Sequence, residues 1–266
     1  MYFEELTKRI GGSQVNYHFN FSLKNKYLYV QTSKCACTYL KTSLSRIELA
    51  PEVFFSPHYR YTHLDNIYKD ALGGSPHRPV NNSCFVKPYQ LGIQAFDELI
   101  ANPDFFKFAV LRNPYSRILS AYLDTVKGRR PPLRSVKSYI AQIKNVPTDQ
   151  LHFSEITFLD FLRGLKSQVE QSGWQEVDQH YRQQSFHISD DIIPYSKLYR
   201  VEEFSNALED LSTRLKSPLA EVSRGSHTTN AKDKINNYYA KQESRDIVES
   251  LYQKDLDRFD YSFPES

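Results

Sequence analysis

The run Thr32-Ser33-Lys34-Cys35-Ala36-Cys37-Thr38 sets one basic residue among small ones and ends on a hydroxyl, just ahead of a stretch with helical periodicity. Small side chains let a backbone come close to a ligand, and the exposed N–H groups at a helix start favour anions. Those are the ingredients of a phosphate cradle. The run is not a Walker A loop, because G-x-x-x-x-G-K-[ST] is absent and Lys34 precedes the small residues instead of following a glycine. Arg112 and Ser120 form a second candidate pair. An arginine fork with a serine hydroxyl can grip a terminal phosphate, the guanidinium supplying parallel N–H donors and the serine a further bond. Plainer readings stand beside these: an ordinary connection for the loop, a strand-to-helix salt bridge for Arg112, a tolerated small helical residue for Ser120.

Both groups sit at strand-to-helix junctions. Lys26 to Gln31 (KYLYVQ) predicts a short buried strand, and Leu40, Leu44 and Ile47 follow with helical spacing. Phe106 to Leu111 (FKFAVL) predicts a second strand, running straight into Arg112-Asn113-Pro114; Asn113 suits an N-cap and Pro114 the first helical position. Ile118, Leu119, Tyr122 and Val126 then mark a helical stripe. Phe158, Phe161, Leu162 and Leu165 predict a helix that Ser154 could cap; Lys197 to Val201 (KLYRV) predicts a third strand. Phe204, Leu208, Leu211 and Leu215 mark another helix, and Ile247, Val248, Leu251 and Tyr252 the last. Strands alternating with helices predict an α/β fold, with a central, mainly parallel sheet flanked by helices on both faces. In such sheets ligands bind outside the carboxyl ends of the strands, where both junctions fall.

The stretch from Ser56 to Pro88 is dense in His, Pro, Asn and Gly and poor in periodicity, so the region of about 51–90 reads as an irregular substrate loop. The basic run Lys127 to Lys137 contains adjacent prolines and reads as a solvated turn or as a groove for an acidic acceptor. No repeat or low-complexity linker divides the 266 residues, which predicts a single domain over 1–266. With 40% hydrophobic and 24% charged residues the chain is a folded one, and a net charge of +3 does not demand a nucleic-acid partner. No window reaches the roughly 18 apolar residues of a membrane span, and the opening MYFEELTKRIGG lacks a signal-peptide layout, which predicts a cytoplasmic address. Cys35, Cys37 and Cys84 are odd in number and lack zinc spacing, which predicts thiols without a disulfide framework and no metal site.

YVQTSKCACTYLKTSL resembles the 5′-phosphosulfate loop of sulfotransferases, and FKFAVLRNPYSRILSAYLD resembles their 3′-phosphate motif, a strand followed by R-[D/N]-P-x-x-R-[IL]-x-S-A-Y. The stretch DQHYRQQ, Asp178 to Gln184, is similar to the D-x-H-W-x-x-Q of carbohydrate sulfotransferases that modify terminal glucuronic acid, chondroitin and dermatan. LYRVEEF and the tyrosine-rich NNYYAKQESRDIVESLYQKDLDRFDY are similar to later stretches of that group, so the resemblance runs from about residue 27 to the end. It implies a P-loop-like sulfotransferase fold and a donor, 3′-phosphoadenosine 5′-phosphosulfate. Lys34, Cys35, Ala36, Cys37, Thr38 and Tyr39 would surround the 5′-phosphosulfate, and Arg112 and Ser120 would hold the 3′-phosphate. By the same analogy no metal is needed, since Lys34 supplies the positive charge at the bridging oxygen. Ser33 stands where the family's loop commonly has proline, and the loop has no glycine.

The resemblance also implies a hydroxyl acceptor, a saccharide, and hence a general base. Histidine suits that role, and a carboxylate stays open beside it. His63 ranks first, then His58, both in the irregular stretch, followed by His180 in DQHYRQQ; Arg224, before Gly225, is a further candidate for the donor's adenosine or 3′-phosphate. Two alternatives stay open: a P-loop-like nucleotide kinase, which would need Mg²⁺ and an acidic strand end, and a catalytically silent nucleotide- or glycan-binding module.

Overall fold

The computed structural model describes residues 1–49, 83–128, 134–219 and 231–264. In chain order its elements are α1 (Tyr2–Ile10), α2 (Gly12–His18), β1 (Phe19–Ser22), β2 (Tyr27–Val30), α3 (Cys37–Leu49), α4 (Pro88–Leu91), α5 (Ile93–Ala101) and β3 (Phe106–Leu111). They continue as α6 (Pro114–Tyr122), α7 (Arg134–Lys144), α8 (Phe158–Ser172), α9 (Gln184–Ile188), β4 (Lys197–Arg200), α10 (Phe204–Leu215), α11 (Ala231–Tyr238) and α12 (Gln242–Arg258). Two compact units interleave along the chain: described residues 1–32, 36–49, 83–110 and 190–219 fall in the first, and 33–35, 111–128, 134–189 and 231–264 in the second.

The first unit holds the sheet, in the order β1-β2-β3-β4. Tyr27, Leu28, Tyr29 and Val30 are all fully buried, the signature of a strand covered on both faces, and they pair in parallel with β3 from Tyr27↔Phe106 to Val30↔Ala109. The α/β class and these two strands are as the residue pattern predicts. The antiparallel β1, paired from Phe19↔Val30 to Ser22↔Tyr27, is an addition. Its turn, Leu23 to Lys26, carries no glycine or proline signal; Lys26 itself takes the left-handed region at φ 53°. The irregular region also has an ordered end: Val86 bridges to Phe21, and Pro88 begins α4.

The second unit is helical, with one apolar core through α6, α7, α8, α11 and α12. Every residue of α6 is buried, which fixes the helix that follows Arg112 on all sides. Gly164 lets α8 lie against α7, since a Cβ there would come within 2.4 Å of Ile140 Cγ1. α8 is capped by Thr157, not by Ser154, which lies in a preceding 3₁₀ turn. The reason is position: Thr157 directly precedes Phe158, its hydroxyl accepts from Asp160 N–H at 3.1 Å, and Asp160 Oδ2 accepts from Thr157 N–H in return. Among the described residues no helix is long and apolar enough to cross a membrane.

Candidate active site

The longest stretch of the second unit starts at Leu111, the last residue of β3. Asn113 caps α6, its side-chain oxygen accepting from Tyr115 N–H at 3.0 Å, with Pro114 in the first helical turn, as the sequence predicts. Arg112 is thereby placed at the strand end, half-buried, with Nε donating to Ser116 Oγ at 2.9 Å and Nη1 to the Lys34 carbonyl at 3.4 Å. Ser120 lies one turn further along α6, 3% exposed. The two junction groups recognised from residue types thus meet in the second unit through the contact of Arg112 with the backbone of Lys34.

The loop conformation is costly. Lys34 takes φ 66° and Ala36 φ 57°, left-handed values that glycine adopts freely and other residues hold at about 1–3 kcal/mol each. Two such residues within three positions fix the path of the backbone through the loop. Lys34 Nζ lies 3.2 Å from Asp124 Oδ2, with the two side chains 15% and 18% exposed. Asp124 belongs to a single π-helical turn, Leu123–Lys127, that continues α6; such turns recur at functional sites. The acidic partner of Lys34 is not legible in the sequence because 90 residues separate the two.

Arg117 braces the same loop from beneath. It is 1% exposed and donates to three backbone carbonyls: Ser33 at 3.0 Å, Arg182 at 2.8 Å and Gln179 at 3.1 Å. Gln184, the last residue of DQHYRQQ, clamps the backbone of Arg112, accepting from its N–H at 2.9 Å and donating to its carbonyl at 2.8 Å. The same Gln184 Oε1 accepts from Cys35 Sγ at 3.3 Å, so one amide joins the lysine loop to the arginine junction. Asp255, from α12, accepts from the N–H groups of Gln184 and Ser185 at 2.7 and 2.8 Å and so fixes the start of α9. Burial pushes the Asp255 carboxyl up, although those two N–H bonds favour its charged form. Gln184, Arg117, Asp124 and Asp255 are the residues that typing alone did not single out. The final Gln of the D-x-H-W-x-x-Q pattern was the available signal for the first.

The remaining predicted positions divide between the units. Ala36, Cys37, Thr38 and Tyr39 belong to the first, where they lead into α3 and Leu40 N–H donates to the Ala36 carbonyl at 3.0 Å. Tyr39 meets Phe204 edge to face, at 5.3 Å between ring centres. Cys35 is buried and belongs to the second unit with Lys34. His180 is partly exposed there, its Nδ1 2.6 Å from Asp178 Oδ1. His58, His63 and Arg224 lie outside the described residues, as does the centre of the Lys127 to Lys137 run. Among the described residues no three His, Cys, Asp or Glu side chains gather as a metal-ligand set.

Residues 17–262, most of the chain, match the model of the Sulfotransferase family. No curated protein and no solved structure gives a significant match.

Proposed function

Since the chain belongs to the sulfotransferase family and so transfers sulfuryl groups, we propose that its donor is 3′-phosphoadenosine 5′-phosphosulfate and its acceptor a carbohydrate hydroxyl. The observation that carries the reading is the bond from the Arg112 guanidinium to the Lys34 carbonyl, which sets a strand-end arginine and a loop lysine side by side in one compact unit. A donor with phosphate at one end and phosphosulfate at the other needs two cationic groups. Arg112 with Ser120 would hold the 3′-phosphate. Lys34, Cys35, Ala36, Cys37, Thr38 and Tyr39 would surround the phosphosulfate, with the left-handed Lys34 and Ala36 supporting a tight loop.

When bound, the donor supplies the sulfuryl group and leaves as adenosine 3′,5′-bisphosphate. The chain's own part is positioning and charge. Lys34 brings an ammonium to the place where negative charge develops, Asp124 orients it, and Gln184 and Arg117 keep the two junctions from drifting. The expected cytoplasmic address, the single-domain reading and the role of Arg224 belong to the same proposal.

Calorimetric titration of adenosine 3′,5′-bisphosphate against 5′-AMP, without magnesium, tests it. Expected is binding by the bisphosphate that 5′-AMP matches only at roughly 100-fold higher concentration, a difference of about 2.7 kcal/mol. Arg112→Ala should erase most of that difference. Equal binding of the two nucleotides, or an Arg112→Ala protein that still discriminates, overturns the donor assignment.

A further inference from the structure

Resting on the sulfuryl-transfer reading above, the question left open is which group takes the proton from the acceptor hydroxyl. Four histidines are described. His18 and His187 are fully buried, and His152 sits in an exposed stretch ahead of α8. His180 differs in both respects: its side chain is 26% exposed, and its Nδ1 lies 2.6 Å from Asp178 Oδ1, which also accepts the His180 backbone N–H at 2.9 Å. A ring that donates Nδ1–H to a carboxylate carries its lone pair on Nε2, the form that accepts a proton, and the carboxylate stabilises the imidazolium that follows.

Two separate anchors tie the chain on either side of this ring to the lysine site. Upstream, Arg117 donates to the carbonyls of both Ser33 and Gln179, so the residue before Lys34 and the residue before His180 share one guanidinium. Downstream, the Tyr181 hydroxyl donates to Thr125 Oγ1 at 2.6 Å, joining the residue after His180 to the residue after Asp124, the partner of Lys34. The chain on both sides of His180 is therefore tied to the residues next to Lys34 and Asp124, and all of these residues belong to the second unit.

We infer that His180 is the general base of the transfer and that Asp178 is its positioning residue. As the acceptor oxygen forms its bond to sulfur, the hydroxyl proton passes to Nε2 of His180. The bond from sulfur to the bridging oxygen breaks, and the bisphosphate departs with that electron pair beside Lys34. The imidazolium then returns its proton to water.

Three measurements test this. In ¹⁵N-resolved imidazole spectra, His180 should show the Nδ1–H tautomer, lost in Asp178→Asn, and saturating adenosine 3′,5′-bisphosphate should shift its ring signals. An Nε2–H tautomer, or a ring indifferent to the nucleotide while the nucleotide binds, overturns the assignment without any acceptor being needed. With labelled donor and chemically desulfated chondroitin as the probe, His180→Gln should lower kcat by about 10²–10⁴-fold while leaving bisphosphate affinity within a few-fold of wild type. His180→Gly should recover part of the loss in added imidazole, which a structural defect would not; an unchanged kcat overturns the proposal. Failure of the bisphosphate to bind the wild type would instead strike the donor reading, which separates the two ideas.

Discussion

Lys34 in the second unit and the lysine pair Lys41 and Lys87 in the first are all held away from bulk water, yet their surroundings differ in kind. Lys34 keeps 15% exposure and a carboxylate at 3.2 Å. Lys87 is 2% exposed and spends its ammonium on the carbonyls of Tyr17 and Phe19 and on Asn20 Oδ1, at 3.2, 3.3 and 2.6 Å. Burial pushes it down from 10.5 to about 7. Lys41 is 5% exposed and has the Tyr17 ring at 5.7 Å, with no hydrogen bond or ion pair among the described residues; burial pushes it down to about 8. A lysine that is to meet a leaving group needs some access to a ligand, and of the three Lys34 is the most exposed and the one that faces a carboxylate among the described residues. Arg112 and Arg117 repeat the contrast within one motif: the first is half-buried at a strand end, the second sealed under three carbonyls.

The largest effect that could break this contrast is catalytic. Lys34→Ala should lower kcat by about 10³-fold, the scale seen when a charge-stabilising donor is removed, and change bisphosphate affinity by no more than a few-fold in calorimetry. A comparable loss of kcat in Lys87→Met, at unchanged stability, would erase the distinction. Next comes Arg117→Met, which leaves three carbonyls beneath the loop without their donor and should cost about 3 kcal/mol in urea unfolding. Arg112→Ala in the same experiment should cost under about 1 kcal/mol, because its guanidinium braces less.

Lys41→Met should stabilise the protein. A fall from 10.5 to about 8 corresponds, at about 1.4 kcal/mol per tenfold change in proton affinity, to at most ~3 kcal/mol of burial penalty at neutral pH. Loss of stability in that variant would mean that its ammonium is anchored after all. The smallest effect is a pH dependence set by Lys87. Above about 7 the folded protein releases this proton while the unfolded chain, at 10.5, retains it, so stability rises with pH through that window. Between about pH 6 and pH 8 the gain should be about 1 kcal/mol over that of Lys87→Met, read from denaturation midpoints.

Much of the scaffold was legible because its signals are local. FKFAVL, Asn113 and Pro114 give a strand, a cap and a first helical turn within one short stretch, and the structure has all three in place. The hairpin of β1 was not legible, since its turn uses a left-handed lysine where a glycine would have announced it. The cap of α8 was placed one turn early, at Ser154, because two hydroxyl residues compete there and only the bond to Asp160 distinguishes Thr157. At the site, residue type exposed Lys34 and Arg112, while long sequence separations hid Asp124, 90 residues from Lys34, and Asp255, 71 residues from Gln184.

Residue order by itself determined the alternation of strands and helices, the two cationic junctions and the family, because each depends on neighbours within a turn or a strand or on a pattern spread over the chain. Tertiary structure decided which cations remain available. It gave Lys34 a carboxylate and an opening, sealed Lys87 and Arg117 with carbonyls, and set His180 on Asp178. Burial and long-range hydrogen bonds set the charge and reach of an ionisable group, and neither is written in the residue type.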